Sequence, residues 1–148
     1  MTLRKLDVRL GNDLAEMDRL LDEIDSFAGE AHLPASTAYR IQLAADEFVA
    51  NAVEHGYPDG RRGEVHICAV VKPDVVEMTL SDDGDPFDPQ SAPPPDLGAS
   101  IQERRIGGLG IHLVRKMASE FAYRRADGRN IITLTLPIEA ACPPRGFK

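Results

Sequence analysis

Three polar residues recur at helical spacing within a largely apolar segment. Glu47, Asn51 and His55 are spaced four residues apart in the stretch LAADEFVANAVEH. Residues with this spacing lie on one side of a helix, so the three form a polar stripe beside the apolar face. A carboxylate and an amide held together in this way suit a general base and a hard cation such as Mg²⁺. The same pattern is also typical of a solvated helix face whose final histidine is favoured by the helix dipole.

A second candidate lies in the sequence LSDDGDPFDP, directly after an apolar strand. Val76, Met78 and Leu80 share one face of that strand. Continuing the alternation predicts that Asp82 points inward with them and that Asp83 points outward. A buried carboxylate is costly unless it finds a donor, and the amino group of a bound ligand is one such donor. The alternative is that Asp82 only caps a turn, as Asp-Gly pairs commonly do.

A third candidate is the glycine-rich sequence RIGGLGIHLVRK. Gly107, Gly108 and Gly110 open a predicted helix whose first-turn amides have no partner within the helix. Free amides, the positive end of the helix dipole and the absence of side chains favour an anion, most obviously a phosphate. The glycines could also serve as a hinge for the preceding loop.

The hydrophobic periodicity indicates the elements that must position these residues. A long segment from 82 to 110 has no periodicity and is rich in Pro, Gly, Asp and Ser, which is typical of functional or disordered loops. The order β-α-α-β-β-loop-α-β-β predicts an α+β two-layer sandwich with the helices on one face of a mixed, largely antiparallel sheet. One domain is predicted over 1–138, followed by an irregular tail over 139–148. The predicted elements are strands at 3–10, 64–71, 75–81, 121–126 and 131–138, and helices at about 12–29, 35–55 and 110–121.

The composition narrows the possible functions. The chain has 148 residues, a net charge of -7 and a pI near 5.0, which argues against binding nucleic acid. Cys68 and Cys142 lack metal-ligand spacing, and the apolar run around Cys68 predicts a buried thiol. No signal sequence or membrane-spanning stretch is apparent, so we expect a cytoplasmic protein without membrane contact.

The three candidates occur in an order that resembles the GHKL, or Bergerat-fold, ATP-binding domains. The resemblance extends to the anti-sigma-factor serine/threonine kinases of bacterial partner-switching systems. It is carried by ADEFVANAVEHGY, DDGDPFDP, GGLGIHLVRKM and GRNIITLTLP, and it covers the chain from about 3 to 138. The residues that match the three nucleotide-binding motifs are Glu47 and Asn51 for the N box, Asp82 and Gly84 for the first glycine box, and Gly108 and Gly110 for the second.

The resemblance implies a role for each of these residues. Asn51 would hold Mg²⁺ on the ATP phosphates, and Glu47 would be the general base. Asp82 would bind the adenine amino group, and Gly84 would let the base approach closely. Residues 85–106 would form a lid over ATP. The further residues expected to contact ATP or ADP are His55, Pro86, Phe87, Gly107, Gly108, Leu109, Gly110 and Ile111.

The implied function is a Mg-ATP-dependent kinase that phosphorylates a STAS-domain antagonist and sequesters a sigma factor or another target. Relatives are often homodimers. The alternative is a nucleotide-binding regulatory module that sequesters a partner without phosphotransfer. A sensor histidine kinase fits less well, because such kinases commonly have Asn at the position of Glu47. Some relatives carry an Arg where this chain has Ile106, which leaves Arg104 and Arg105 as unassigned candidates near the γ-phosphate.

Overall fold

The computed structural model describes residues 4–89 and 109–138, in which helices cover one face of a five-stranded sheet. The predicted C-terminal tail and most of the predicted lid lie outside the described residues. The elements in chain order are β1 (Lys5–Gly11), a short 3-10 helix (Leu14–Glu16), α1 (Met17–Glu30), α2 (Ala35–His55), β2 (Glu64–Val71), β3 (Val75–Asp82), α3 (Leu109–Met117), β4 (Glu120–Ala126) and β5 (Arg129–Pro137).

The strand order of the sheet is β1-β2-β3-β5-β4. Each neighbouring pair is antiparallel, so the sheet contains no parallel pair among the described strands. The central pair β3 and β5 comes from two hairpins that are separated by the long loop and α3. Because Asp82 pairs with Asn130 in the β3–β5 register, the end of the first hairpin lies beside the turn of the second. The predicted α+β sandwich is confirmed, but the sheet is antiparallel throughout its described strands and not mixed.

Helix α2 has the apolar stripe that its 3.6-residue period predicts. Its buried apolar residues pack against the inward side chains of the strands to form one core. The stripe consists of Ile41, Ala44, Ala45, Phe48 and Ala52, and all five are buried. The helix begins after Pro34, which suits this position because its fixed φ favours a helix start. No helix among the described residues has the length and apolar character needed to cross a membrane.

The turn between β4 and β5 has the backbone that its sequence requires. Asp127 and Gly128 have φ angles of 53° and 73°, so both central residues lie in the left-handed region. An Asp-Gly pair favours this conformation, which matches the twist of a two-residue hairpin. The turn therefore sets the register that places Asn130 on the inward face of β5.

The prediction of a buried thiol at Cys68 is wrong. Strand β2 alternates, so that Val65, Ile67 and Ala69 are buried in the core. His66 and Cys68 therefore point to the opposite face of the sheet, where the cysteine is half-buried. The apolar run concealed this alternation, because the outward residues Cys68 and Val70 are themselves apolar.

Candidate functional site

A pocket lies between α2, the end of β3, the start of β5 and the first turn of α3. The space between its atoms is about 320 Å³, part of it open to solvent. The walls are mostly apolar, with three polar side chains among them, which is the usual composition of a small-molecule site. The described residues that line the pocket are Phe48, Asn51, Ala52, Gly56, Asp82, Phe87, Pro89, Ile111, Asn130 and Ile132.

Asp82 lies inward, as the alternation of its strand predicts, and is only 3% exposed. Its Oδ1 accepts hydrogen bonds from the Gly84 amide at 2.8 Å and from Nδ2 of Asn130 at 3.0 Å. Burial raises the pKa of the Asp82 carboxyl group, while these two hydrogen bonds lower it in part. No described residue donates to Oδ2. Asp82 therefore caps a turn with one oxygen and leaves the other available at the pocket.

Asn130 organises this end of the pocket, although we did not single it out from the sequence. Its Nδ2 donates to Asp82 and to the carbonyl oxygen of Asp85, at 3.0 and 2.8 Å. Its Oδ1 accepts from the Phe87 amide at 3.1 Å and from the Tyr123 hydroxyl at 2.7 Å. These four bonds fix the carboxylate and the chain that follows it. The alternation of the strand could have identified it, because Asn130 occupies the same inward-facing set of positions as Ile132, Leu134 and Leu136.

Gly84 is required by the close packing of two backbone segments. A Cβ at this position would lie 2.8 Å from both the Cα and the carbonyl oxygen of Gly56, which follows α2. The Asp85 amide donates to the same Gly56 oxygen at 2.7 Å. The end of α2 is thus bound directly to the loop after β3. This contact gives Gly84 a structural role, whereas its predicted role in the approach of adenine stays a prediction.

Asp83 points outward, as predicted, and joins the loop after α2 to the sheet. Its Oδ1 accepts from the Tyr57 hydroxyl at 2.8 Å and from the Glu64 amide at 2.9 Å. Burial opposes ionisation of Asp83, but these hydrogen bonds outweigh it and lower the pKa of the carboxyl group. Burial and the hydrogen bond to Asp83 raise the pKa of Tyr57 far above its ordinary value. Tyr57 therefore serves as a neutral donor.

The polar stripe on α2 spans three different environments. Asn51 is 9% exposed and lines the pocket, and its side chain makes no hydrogen bond to any described residue. Glu47 is half-buried, and burial together with the charge of Asp46 raises the pKa of its carboxyl group. His55 is exposed and stacks on Phe87, with ring centroids 4.5 Å apart and an angle of 12° between the planes.

The remaining predicted residues differ in placement. Ile111 is buried and lines the pocket beside Phe87, whereas Pro86 is exposed and is not part of the described lining. Leu109 and Gly110 form the start of α3. Gly107 and Gly108 lie outside the described residues, as does the predicted lid beyond Pro89. Their predicted contacts with phosphate therefore stay predictions.

Comparisons with known proteins agree with this architecture. A model of the histidine kinase-like ATPase domain matches residues 10–136. The serine/threonine-protein kinase BtrW of Bordetella bronchiseptica is 32% identical over 101 residues, which cover 68% of this chain and 71% of BtrW. The serine-protein kinase RsbW of Listeria monocytogenes is 27% identical over 96 residues, which cover 62% of this chain and 61% of that protein.

The serine-protein kinase RsbW of Bacillus subtilis is 30% identical over 92 residues, which cover 60% of this chain and 58% of that protein. The matches thus span about three fifths of the length of the two RsbW proteins. The family model covers most of the described fold, including α2, the central strands and α3. The chain therefore belongs to the family of histidine kinase-like ATPase domains, and relatives that are themselves named protein kinases confirm its resemblance to the GHKL-type anti-sigma-factor kinases.

Proposed function

We propose that the protein is a Mg-ATP-dependent serine/threonine kinase that phosphorylates a STAS-domain antagonist and sequesters a sigma factor or another regulatory target. The observation that carries the proposal is a pair of polar groups at one pocket, Oδ2 of Asp82 and the side-chain amide of Asn51. Neither group has a hydrogen-bond partner among the described residues, although both residues are buried. Both groups are accessible from the pocket, so a polar ligand that enters it could bind at both positions.

The Asp82 end of the pocket suits adenine. The amino group of the base would donate to Oδ2, while Asn130 and the Gly84 amide hold the carboxylate in place through Oδ1. The apolar side chains of Phe48, Ile111 and Ile132 offer a surface for the flat base.

Asn51 suits a magnesium ion at the phosphates of ATP. Its amide oxygen is a hard ligand, and Mg²⁺ usually keeps several waters and takes few protein ligands, so one side chain can be sufficient. When bound there, Mg²⁺ would neutralise phosphate charge and help to align the γ-phosphoryl group for transfer. The side chain has no competing hydrogen bond to a described residue.

Glu47 is the proposed general base. It lies one turn before Asn51 on the same stripe, and its burial raises the pKa of its carboxyl group towards the range useful for accepting a proton. The proton of the partner's hydroxyl would pass to this carboxylate. The hydroxyl oxygen would bond to the γ-phosphorus as the bond between that phosphorus and ADP breaks. Transfer then leaves a phosphoserine or phosphothreonine and ADP.

The test separates nucleotide binding from phosphotransfer. Glu47→Gln should bind Mg-ATP like the wild type but transfer phosphate about 10²–10⁴-fold more slowly, because a general base acts mainly in the transition state. Glu23→Gln, an exposed change on α1, is the control and should keep the wild-type rate. Calorimetry measures ATP affinity, and transfer of labelled γ-phosphate to candidate STAS partners measures the rate. A wild-type rate in Glu47→Gln would contradict the role of Glu47 as base.

The alternative function has its own outcome in the same experiment. A chain that binds Mg-ATP but transfers phosphate to no candidate partner would be a regulatory module that uses nucleotide to control sequestration.

Electrostatics favour release of a phosphorylated partner, because the chain carries a net charge of -7 and phosphoserine adds about -1.5 to -2 charge. The affinity of the STAS partner should therefore fall about 100-fold after phosphorylation, measured with ADP present. Equal affinities would show that phosphorylation does not release it.

A further inference from the structure

Three side chains with metal-binding chemistry meet on the face of the sheet that points away from the helices. Asp7 lies on β1, and His66 and Cys68 lie two residues apart on β2. Asp7 pairs with Cys68 in the strand register. Their oxygen, nitrogen and sulfur ligand atoms all lie within 4.8 Å of one another. The nucleotide pocket lies on the helix side of the sheet, so this cluster is separate from it.

The contacts within the cluster converge on a single nitrogen. Nε2 of His66 lies 2.7 Å from Oδ1 of Asp7 and 3.2 Å from Sγ of Cys68. A ring nitrogen carries at most one proton and cannot form a well-aligned hydrogen bond with both neighbours at once. A cation placed between the three atoms would attract the carboxylate, the imidazole and the thiolate together. The three ligand atoms therefore lie close enough together to bind one cation.

We propose that Asp7, His66 and Cys68 bind one Zn²⁺ ion, which links the edge strand β1 to β2. Thiolate, imidazole and carboxylate are together the ligands of zinc, whereas Mg²⁺ and Ca²⁺ prefer oxygen ligands. Three protein ligands leave a fourth tetrahedral position for water or for a group from another molecule. The donor set thus distinguishes this site from the proposed magnesium position at Asn51.

The scaffold needs only a small adjustment to accept the ion. Zinc–ligand bonds of about 2.0–2.3 Å place tetrahedral ligand atoms roughly 3.3–3.8 Å apart, slightly farther than the two contacts of His66. The side chain of Asp7 is 68% exposed and can rotate outward, while the strands fix the two residues of β2. Arg9 is a positive charge on the same face of β1 as Asp7, and it forms an ion pair with Glu64 at 3.0 Å.

Cobalt titration of the tag-free full chain tests the site. Co²⁺ replaces Zn²⁺ in such sites, and a bound thiolate produces an intense ultraviolet charge-transfer band. The wild type should bind one Co²⁺ with this band and lose the band when one equivalent of Zn²⁺ is added. Cys68→Ser should abolish the band, whereas Cys142→Ser, which alters the other cysteine of the chain, should keep it. Loss of the band in Cys142→Ser, or its persistence in Cys68→Ser, would overturn the proposal.

Two further variants test the ligands without sulfur. Asp7→Asn and His66→Gln should each lower zinc affinity at least about tenfold, because even residues that only orient a ligand have effects of this size. His112→Gln, an exposed histidine on α3, is the matched control. Zinc should raise the unfolding temperature of the wild type and of His112→Gln but have a much smaller effect on Asp7→Asn. Since Asp7 is exposed, this variant should fold, and equal zinc stabilisation of Asp7→Asn and wild type would overturn the site.

Discussion

Two asparagines line the same pocket in opposite states of hydrogen bonding. The side chain of Asn130 makes four hydrogen bonds, to Asp82, to the backbone at Asp85 and Phe87, and to Tyr123. The side chain of Asn51, also buried, makes none to a described residue. A satisfied amide stabilises the fold, whereas an unsatisfied one lowers stability unless a ligand supplies its partner. The comparison distinguishes the Asn130 end of the pocket, which has a structural role, from the Asn51 end, which is available to a ligand.

The largest effect on folding is expected for Asn130→Ala. The change removes four hydrogen bonds, leaves the Phe87 amide and the Tyr123 hydroxyl without this acceptor and leaves Oδ1 of Asp82 with the Gly84 amide as its donor, which should lower the free energy of unfolding by about 3 kcal/mol. Denaturant titration followed by circular dichroism measures it. Thr133→Ala, on the exposed face of the same strand, should cost less than about 1 kcal/mol. Equal losses in both variants would refute the structural role of Asn130.

A somewhat smaller loss is expected for Gly84→Ala. The new methyl group would lie 2.8 Å from the Gly56 backbone and 3.0 Å from Oδ1 of Asp82, so the loop and the end of α2 must separate. Such overpacking should lower the free energy of unfolding by about 1–3 kcal/mol. Gly11→Ala is the matched control, because a Cβ there would meet no atom within 4 Å. A Gly84→Ala variant as stable as Gly11→Ala would show that the backbones of Gly84 and Gly56 can move apart at little cost in free energy.

The opposite behaviour is expected for Asn51→Ala. No hydrogen bond to a described residue is lost, and Ala has the higher helix propensity. The free energy of unfolding should therefore fall by no more than about 0.5 kcal/mol, and it could rise. Affinity for Mg-ATP should fall, because the proposed magnesium ligand is removed. Thermal unfolding and calorimetry on the same samples measure the two effects. A loss of stability comparable to that of Asn130→Ala would remove the distinction between the two ends.

The smallest effect is a pH-dependent gain of stability in Glu47→Gln. Burial raises the pKa of Glu47, so the folded chain holds this proton more tightly than the unfolded chain. The charged carboxylate therefore lowers stability above the folded-state pKa, and this cost disappears as the pH falls below the ordinary value of 4.5.

Glu47→Gln should accordingly be more stable than the wild type at neutral pH, and the difference should vanish in acid. Denaturant titrations at several pH values measure the difference. Glu23→Gln, an exposed change on α1, provides the control for the loss of a negative charge. A difference that grows as the pH falls would contradict the sign of the pKa shift.

Local patterns in the sequence predicted much of the site. The 3.6-residue period of α2 identified the stripe of Glu47, Asn51 and His55, and the alternation of β3 identified Asp82 as an inward carboxylate. Both rules hold because the period of a helix or strand determines which side chains share a face. The sequence did not rank the three stripe residues by burial. That ranking depends on which part of α2 the sheet and α3 cover.

Contacts between distant segments could not be predicted in the same way. Gly84 and Gly56 meet because the end of α2 crosses the loop after β3, and no local pattern encodes that approach. The cluster of Asp7 with two residues of β2 depends on the β1–β2 register, so the spacing of the cysteines along the sequence could not indicate it.

The sequence by itself determined the elements, the fold class and the inward position of Asp82, because these follow from periodicity and turn chemistry within short segments. The tertiary structure decided which oxygen of that carboxylate is available. Pairing of β3 with β5 places Asn130 opposite Asp82 and occupies Oδ1, while Oδ2 has no donor among the described residues. Hydrogen bonds act only over about 3 Å, so the distribution of partners at this site is set by strand register and helix packing.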